Sequence, residues 1–188
     1  MSQTEICQKV SKPEDLDLLR ALCRQVIGQE CWSAHTRCDW VLALEMGMKI
    51  PISTPNKVLA ERMQQGSWAV DIHSSEWVIQ DKFGQIYCSP HSDLREIKSL
   101  VRVLESACVT HIDVSYPSLG LHVAFDKGYQ LIIATCEDDT GDGRSDIMQQ
   151  EEASDIPCWM LFMPNDMVVE VGPGTRQWRY IRSDTPIS

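Results

Sequence analysis

The chain has 188 residues and a mass of 21.3 kDa, the size of one large domain or two small ones, and long enough to bury a core without disulfide or metal staples. Its 43% hydrophobic and 23% charged residues are ordinary for a globular protein, which leaves the sign of the charge as the discriminating feature. With 27 acidic residues against 17 basic ones the net charge is −10; a nucleic-acid binder needs a basic surface to neutralise phosphates, so that class is excluded and a protein partner with a basic surface is favoured.

The opening stretch MSQTEICQKVSKPEDLD is polar and acidic, unlike a signal peptide. The longest apolar runs, such as 158–163, fall far short of the ~18 residues a membrane span needs. These features predict a cytoplasmic protein with no membrane partner. Eight cysteines (Cys7, Cys23, Cys31, Cys38, Cys88, Cys108, Cys136 and Cys158) are scattered without a CxxC pair, and read as reduced, mostly buried thiols. Cys88-x-x-His91 is the single tight ligand-like spacing. Without a second pair, neither a metal nor a cofactor is expected.

In chain order, Ser11-Lys12-Pro13-Glu14 reads as a capping box ahead of a helix over 16–28, where Leu16, Leu19, Leu22, Cys23, Val26 and Ile27 recur at helical spacing and Gly28 is the stop. Strands follow at 41–44 and 48–53, joined by a Glu45-Met46-Gly47 turn. Next come a short helix opened by Thr54-Pro55 and ending before Gly66, a hairpin of 68–73 with 76–80, and a strand near 85–88. A second helix is predicted over 94–106, with Ser92 or Asp93 as its cap. Strands at 111–115, 121–125 and 129–135 come after it, then a short helix over 146–152. A hairpin of 159–163 with 167–171 across Pro164-Asn165-Asp166 and a strand at 177–181 complete the series.

The second series repeats the order of the first. Leu16, Leu19, Leu22 and Val26 correspond to Leu94, Ile97, Leu100 and Leu104; Leu42, Leu44, Glu45 and Gly47 correspond to Val123, Phe125, Asp126 and Gly128; Met63-Gln64-Gln65 recurs as Met148-Gln149-Gln150, and Trp68 as Trp159. The expectation is an α+β fold of two related halves from an internal duplication, each a helix followed by an antiparallel β-sheet with a short inserted helix. The halves would occupy 1–90 and 91–188 and pack together as one globular unit.

Function is sought where that symmetry breaks. Residues 137–155 hold eight acids against the single base Arg144, and the first half lacks an equivalent. Such a segment reads as a solvated loop or as a docking surface for a basic partner, since clustered carboxylates speed association. The partner-binding candidates are Glu137, Asp138, Asp139, Asp142, Asp146, Glu151 and Glu152. Asp138-x-Thr140-x-Asp142-Gly143 resembles the start of a calcium loop, but Gln149 stands where the bidentate Glu belongs. Nucleophile elbows, zincin helices and phosphate loops are absent, and His73, His111 and His122 fall in predicted strands. Trp68 and Trp159 are predicted core residues, whereas Trp40 and Trp77 are candidates for partial exposure. Together these features predict a non-enzymatic protein that binds another macromolecule, such as an inhibitor or immunity-type protein neutralising a basic partner. The alternatives are a small-molecule or metal-dependent enzyme with its site in the cleft between the halves, and a structural subunit whose only role is self-association.

Overall fold

The computed structural model describes residues 5–37, 41–51, 64–73, 76–134, 156–172 and 176–183. Helix α1 (Asp17–Cys23) sits between two 3₁₀ turns, Pro13–Leu16 and Arg24–Val26. The apolar stripe read from the sequence is real, with Leu16, Leu19, Leu22 and Val26 all buried. The cap differs: Asp15 Oδ2 accepts the backbone N–H groups of Ser11 (2.8 Å) and Lys12 (3.1 Å). Helix α2 (Leu94–Leu100) runs into a 3₁₀ turn at Val101–Leu104, and Asp93 caps it by accepting from Arg95 N at 2.7 Å. Each of these two α-helices is therefore only seven residues long.

The remaining elements are strands: β1 (Ile6–Lys9), β2 (Glu30–Arg37), β3 (Val41–Pro51), β4 (Gln64–Ile72), β5 (Trp77–Gln80), β6 (Ile86–Cys88), β7 (Ala107–Val114), β8 (Leu121–Phe125), β9 (Gln130–Ile133), β10 (Trp159–Phe162), β11 (Met167–Val171) and β12 (Gln177–Arg182). They form one sheet in the order β1-β12-β11-β10-β4-β3-β2-β7-β8-β9-β5-β6, and the described pairings are antiparallel.

This arrangement corrects the expected fold class. Strand makes up 52% of the structure and helix 18%, so the protein is a mostly antiparallel β-sheet with two short helices among the described residues, and not a duplicated helix-plus-sheet α+β arrangement. The predicted hairpin of 68–73 with 76–80 does not form. β4 pairs instead with β3 and with the distant β10, while β5 pairs with β9 and β6. The predicted turn at Glu45-Met46-Gly47 is also absent: β3 runs on for 11 residues through a register irregularity between Met46 and Lys49. Gly47 takes φ +73° there, a backbone conformation that a β-bulge commonly gives to glycine. The predicted short helices fall on residues outside those described, except that 64 and 65 belong to β4.

The far ends of the sheet share one core, in which residues of β3, β4, β10 and β12 cluster with residues of β5, β7, β8 and β9. Trp159 of β10 donates its indole N–H to Leu119 O at 3.0 Å, in the β7–β8 loop. Arg20 of α1 donates twice to Val114 O, at 3.1 and 2.7 Å, fixing the helix on the end of β7.

Candidate functional site

Alternation along the central strands decides which side chains can form a site. On β3 and β4 the residues Leu42, Leu44, Met46, Trp68, Val70 and Ile72 are buried in the core. The intervening positions therefore project to the opposite face. Register carries one row of these across six strands: Arg179 opposes Glu170, Glu170 opposes Met160, Met160 opposes Asp71, Asp71 opposes Ala43, and Ala43 opposes His35. The next row places Ser33 opposite Glu45, Glu45 opposite Ala69, and Ala69 opposite Phe162.

This second face is not a solvated surface. Glu45, Asp71 and Glu170 are exposed by only 6%, 5% and 4%. Carboxylates so buried require cationic or hydrogen-bonding partners. Arg37, at the end of β2, serves two of them, with Nη1 donating to Asp71 Oδ2 at 2.9 Å and Nη2 to Glu45 Oε1 at 3.2 Å. Its Nε donates to His35 Nε2 at 3.3 Å, which makes Nε2 the acceptor and leaves the ring proton on Nδ1, facing Ser33 Oγ at 3.3 Å. Glu45 Oε2 accepts the backbone N–H of Gly66 at 2.6 Å. Glycine is required at that position, since a Cβ would stand 2.6 Å from the backbone N and O of Met46. Asp71 Oδ1 is buried and has no hydrogen-bond partner among the described residues.

A cleft of about 290 Å³ opens over this cluster. Arg37, Glu45, Gln65, Ser67 and Asp71 line it from β2, β3 and β4, and Phe162, Met163, Asp166 and Met167 from the β10–β11 hairpin. Ala69 lies within the lining, and its small side chain leaves the space that a larger residue would fill. Among its described lining residues, three carboxylates (Glu45, Asp71 and the exposed Asp166) face one guanidinium. The cleft is therefore electronegative. It suits a cation and disfavours phosphate or carboxylate ligands.

The acidic residues singled out in the sequence, Glu137, Asp138, Asp139, Asp142, Asp146, Glu151 and Glu152, are not among those that the structure describes, and neither is the calcium-like run at 138–143. The stretch that contains them does lead into β10, whose Phe162 lines the cleft. Cys88 is buried, whereas His91 is exposed and pairs through Nε2 with Glu76 Oε2 at 3.0 Å. Among the described residues no group of three or more His, Cys, Asp or Glu side chains is placed to hold a metal. Burial pushes the Cys23 and Cys31 thiols up to about 12, which leaves them protonated and unreactive, while Cys7 is exposed. His111 and His122 stand on β7 and β8, and His122 Nε2 lies 3.0 Å from Gln130 Oε1. Trp68 and Trp159 are core residues as expected. Trp77 is buried too, contrary to the exposure expected of it, because β5 is covered as an inner strand between β9 and β6; Trp40 lies outside the described residues.

Comparison with protein-family models, with curated proteins and with solved structures found no match to this chain. Among the described residues no helix is long and apolar enough to cross a membrane.

Proposed function

We propose that this protein acts by binding another macromolecule whose docking surface is basic, as an inhibitor or immunity-type protein would, and that the contact centres on the electronegative cleft and the acidic stretch leading into β10. One observation carries the reading: the cleft has three carboxylates against one guanidinium among its described lining residues, and it is lined by the strand that the −7 segment at 137–155 precedes. Two sources of negative potential on one route along the chain would draw a positively charged partner toward a defined place.

Catalysis is a weaker use of the same residues. Of the four carboxylate oxygens on Glu45 and Asp71, three already accept hydrogen bonds from Arg37 or Gly66. The fourth, Asp71 Oδ1, has no donor among the described residues, but no histidine or cysteine is among the described residues lining the cleft to share acid–base or nucleophilic work with it. The test compares wild type with a variant in which Asp138, Asp139, Asp142 and Asp146 are all changed to Asn, using affinity capture followed by direct binding of the purified partner at low and high salt. The reading expects a basic partner, lost or strongly weakened in the variant and weakened by salt in wild type. Unchanged recovery at low salt would refute it.

A further inference from the structure

We infer that the cleft is a receptor for one amphipathic cation, an ammonium or guanidinium carried on an aliphatic stem as in a lysine or arginine side chain, with Asp71 as its counter-charge; this rests on the basic-partner reading and names the group that the partner inserts. Three features converge on that chemistry.

The first is an unfilled hydrogen bond. Asp71 is 5% exposed, its Oδ2 is taken by Arg37, and its Oδ1 has no partner among the described residues. A buried carboxylate oxygen left without a donor is destabilising; Oδ1 is itself covered, so the Asp71 side chain must turn toward the cleft to meet an incoming donor, and a cationic donor is the group that compensates it most. Charge is the second feature. Glu45 and Asp71 share a single guanidinium, so the trio carries one negative charge in excess, and Asp166 adds another at the exposed turn. The third is the lining. Ile50, Phe162, Met163 and Met167 give the cleft apolar walls beside its acidic floor. An apolar wall beside an acidic floor matches a side chain that buries its methylenes and pairs its head. A hydrated metal ion would leave the apolar walls unused, and a compact anion would be repelled by the acidic floor. The volume of about 290 Å³ is at the small end for ligand pockets and suits one side chain better than a nucleotide or cofactor.

The experiment titrates the whole chain with n-butylguanidinium and n-butylammonium, following the methyl resonances of Met163, Met167 and Ile50. Guanidinium ion, n-butanol and n-butyrate serve as controls lacking the stem, the charge and the correct sign. Saturable shifts at these methyls with the two butyl cations, absent with all three controls, are expected. Asp71→Asn should weaken the binding about tenfold, the loss of a hydrogen bond to a charged group. A second arm uses a capped tripeptide with Arg at its centre. Binding of the peptide places the cation on a protein partner, and binding of the free butyl cations alone places it on a small molecule; either supports the cation site. The inference falls if the methyls do not shift, if n-butanol shifts them equally, or if Asp71→Asn binds as well as wild type. Should Asp71→Asn fail to fold, salt dependence of wild-type binding decides instead: affinity unaffected by salt overturns the proposal. Because this experiment varies Asp71 and the capture experiment varies Asp138, Asp139, Asp142 and Asp146, failure here leaves the capture experiment free to succeed, and the reverse also holds.

Discussion

Two arginines on the same face of one sheet hold buried carboxylates, and they do it in different proportions. Arg179 is a direct cross-strand neighbour of Glu170, and its Nη2 lies 2.7 Å from Glu170 Oε2, one cation to one anion. Arg37 reaches diagonally to Glu45 and Asp71, one cation to two anions, and 47% of its side chain remains exposed. Met160 stands between the two centres, opposite Glu170 on one side and Asp71 on the other. The first centre is balanced and reads as a structural pair. Both centres keep a buried carboxylate oxygen without a hydrogen-bond donor among the described residues, Asp71 Oδ1 in one and Glu170 Oε2 in the other. The second differs in its negative excess and in the cleft above it, which is what distinguishes a site from a packing solution among chemically similar residues.

The largest effect expected is that of Arg37→Ala, which leaves two buried carboxylates without their cation. Breaking a buried pair costs about 3–5 kcal/mol, and the partial exposure of Arg37 places this case near the lower end. Urea denaturation at neutral pH measures it. Cys31, on the same strand, supplies an independent readout. Its thiol, raised by burial to about 12, is protonated at pH 8 and should resist labelling in wild type, while the exposed Cys7 reacts at once. In Arg37→Ala the Cys31 labelling rate should rise as the opened state becomes more populated. If Arg37→Ala were as stable as wild type, the carboxylates would have another source of compensation and the contrast with Arg179 would collapse.

Arg179→Ala should cost less than Arg37→Ala, because it orphans one carboxylate in place of two. The same denaturation series checks it. An equal or larger loss than that of Arg37→Ala would reverse the ranking of the two centres.

Why the acidic stretch was visible in the sequence and the cleft was not follows from the physics of strands. Leu44-Glu45-Met46, Val70-Asp71-Ile72 and Val169-Glu170-Val171 each place an acid between two apolar residues. That pattern means an outward position on a half-buried strand, and the natural reading of an outward acid is a solvated one. Its burial depends on which strands lie alongside, and β10 comes to β4 from 87 positions or more along the chain in each of its pairs, as with Trp159 opposite Ile72. Local pattern did locate the helices, the β10–β11 hairpin and the strands β6, β8 and β12. It missed β2, whose register irregularity between Cys31 and Ser33 breaks the period of two. It also joined β4 to β5 as a hairpin, since adjacency in sequence is the only pairing cue that a single strand pattern offers.

The smallest stability effect is expected at Asp71→Asn, and it is the sharpest test of the comparison. Asn keeps an oxygen for Arg37 Nη1 while removing the surplus charge, so Arg37 and Glu45 become a one-to-one pair like Arg179 and Glu170. Loss of the charge weakens one hydrogen bond, but it also removes the desolvation cost of an oxygen that has no donor; the two terms oppose each other, and the net change should stay within about 1 kcal/mol. Glu170→Gln is the matched control. There the substitution strips the sole described anionic partner from a cation that is 22% exposed, with no second carboxylate among the described residues to take its place, so the protein should be clearly less stable. Measured side by side in urea, a silent Asp71→Asn beside a costly Glu170→Gln means that the Asp71 charge is not needed to hold the sheet together. Equal losses would make Asp71 a structural partner of Arg37, and the cleft above it a closed feature of the fold.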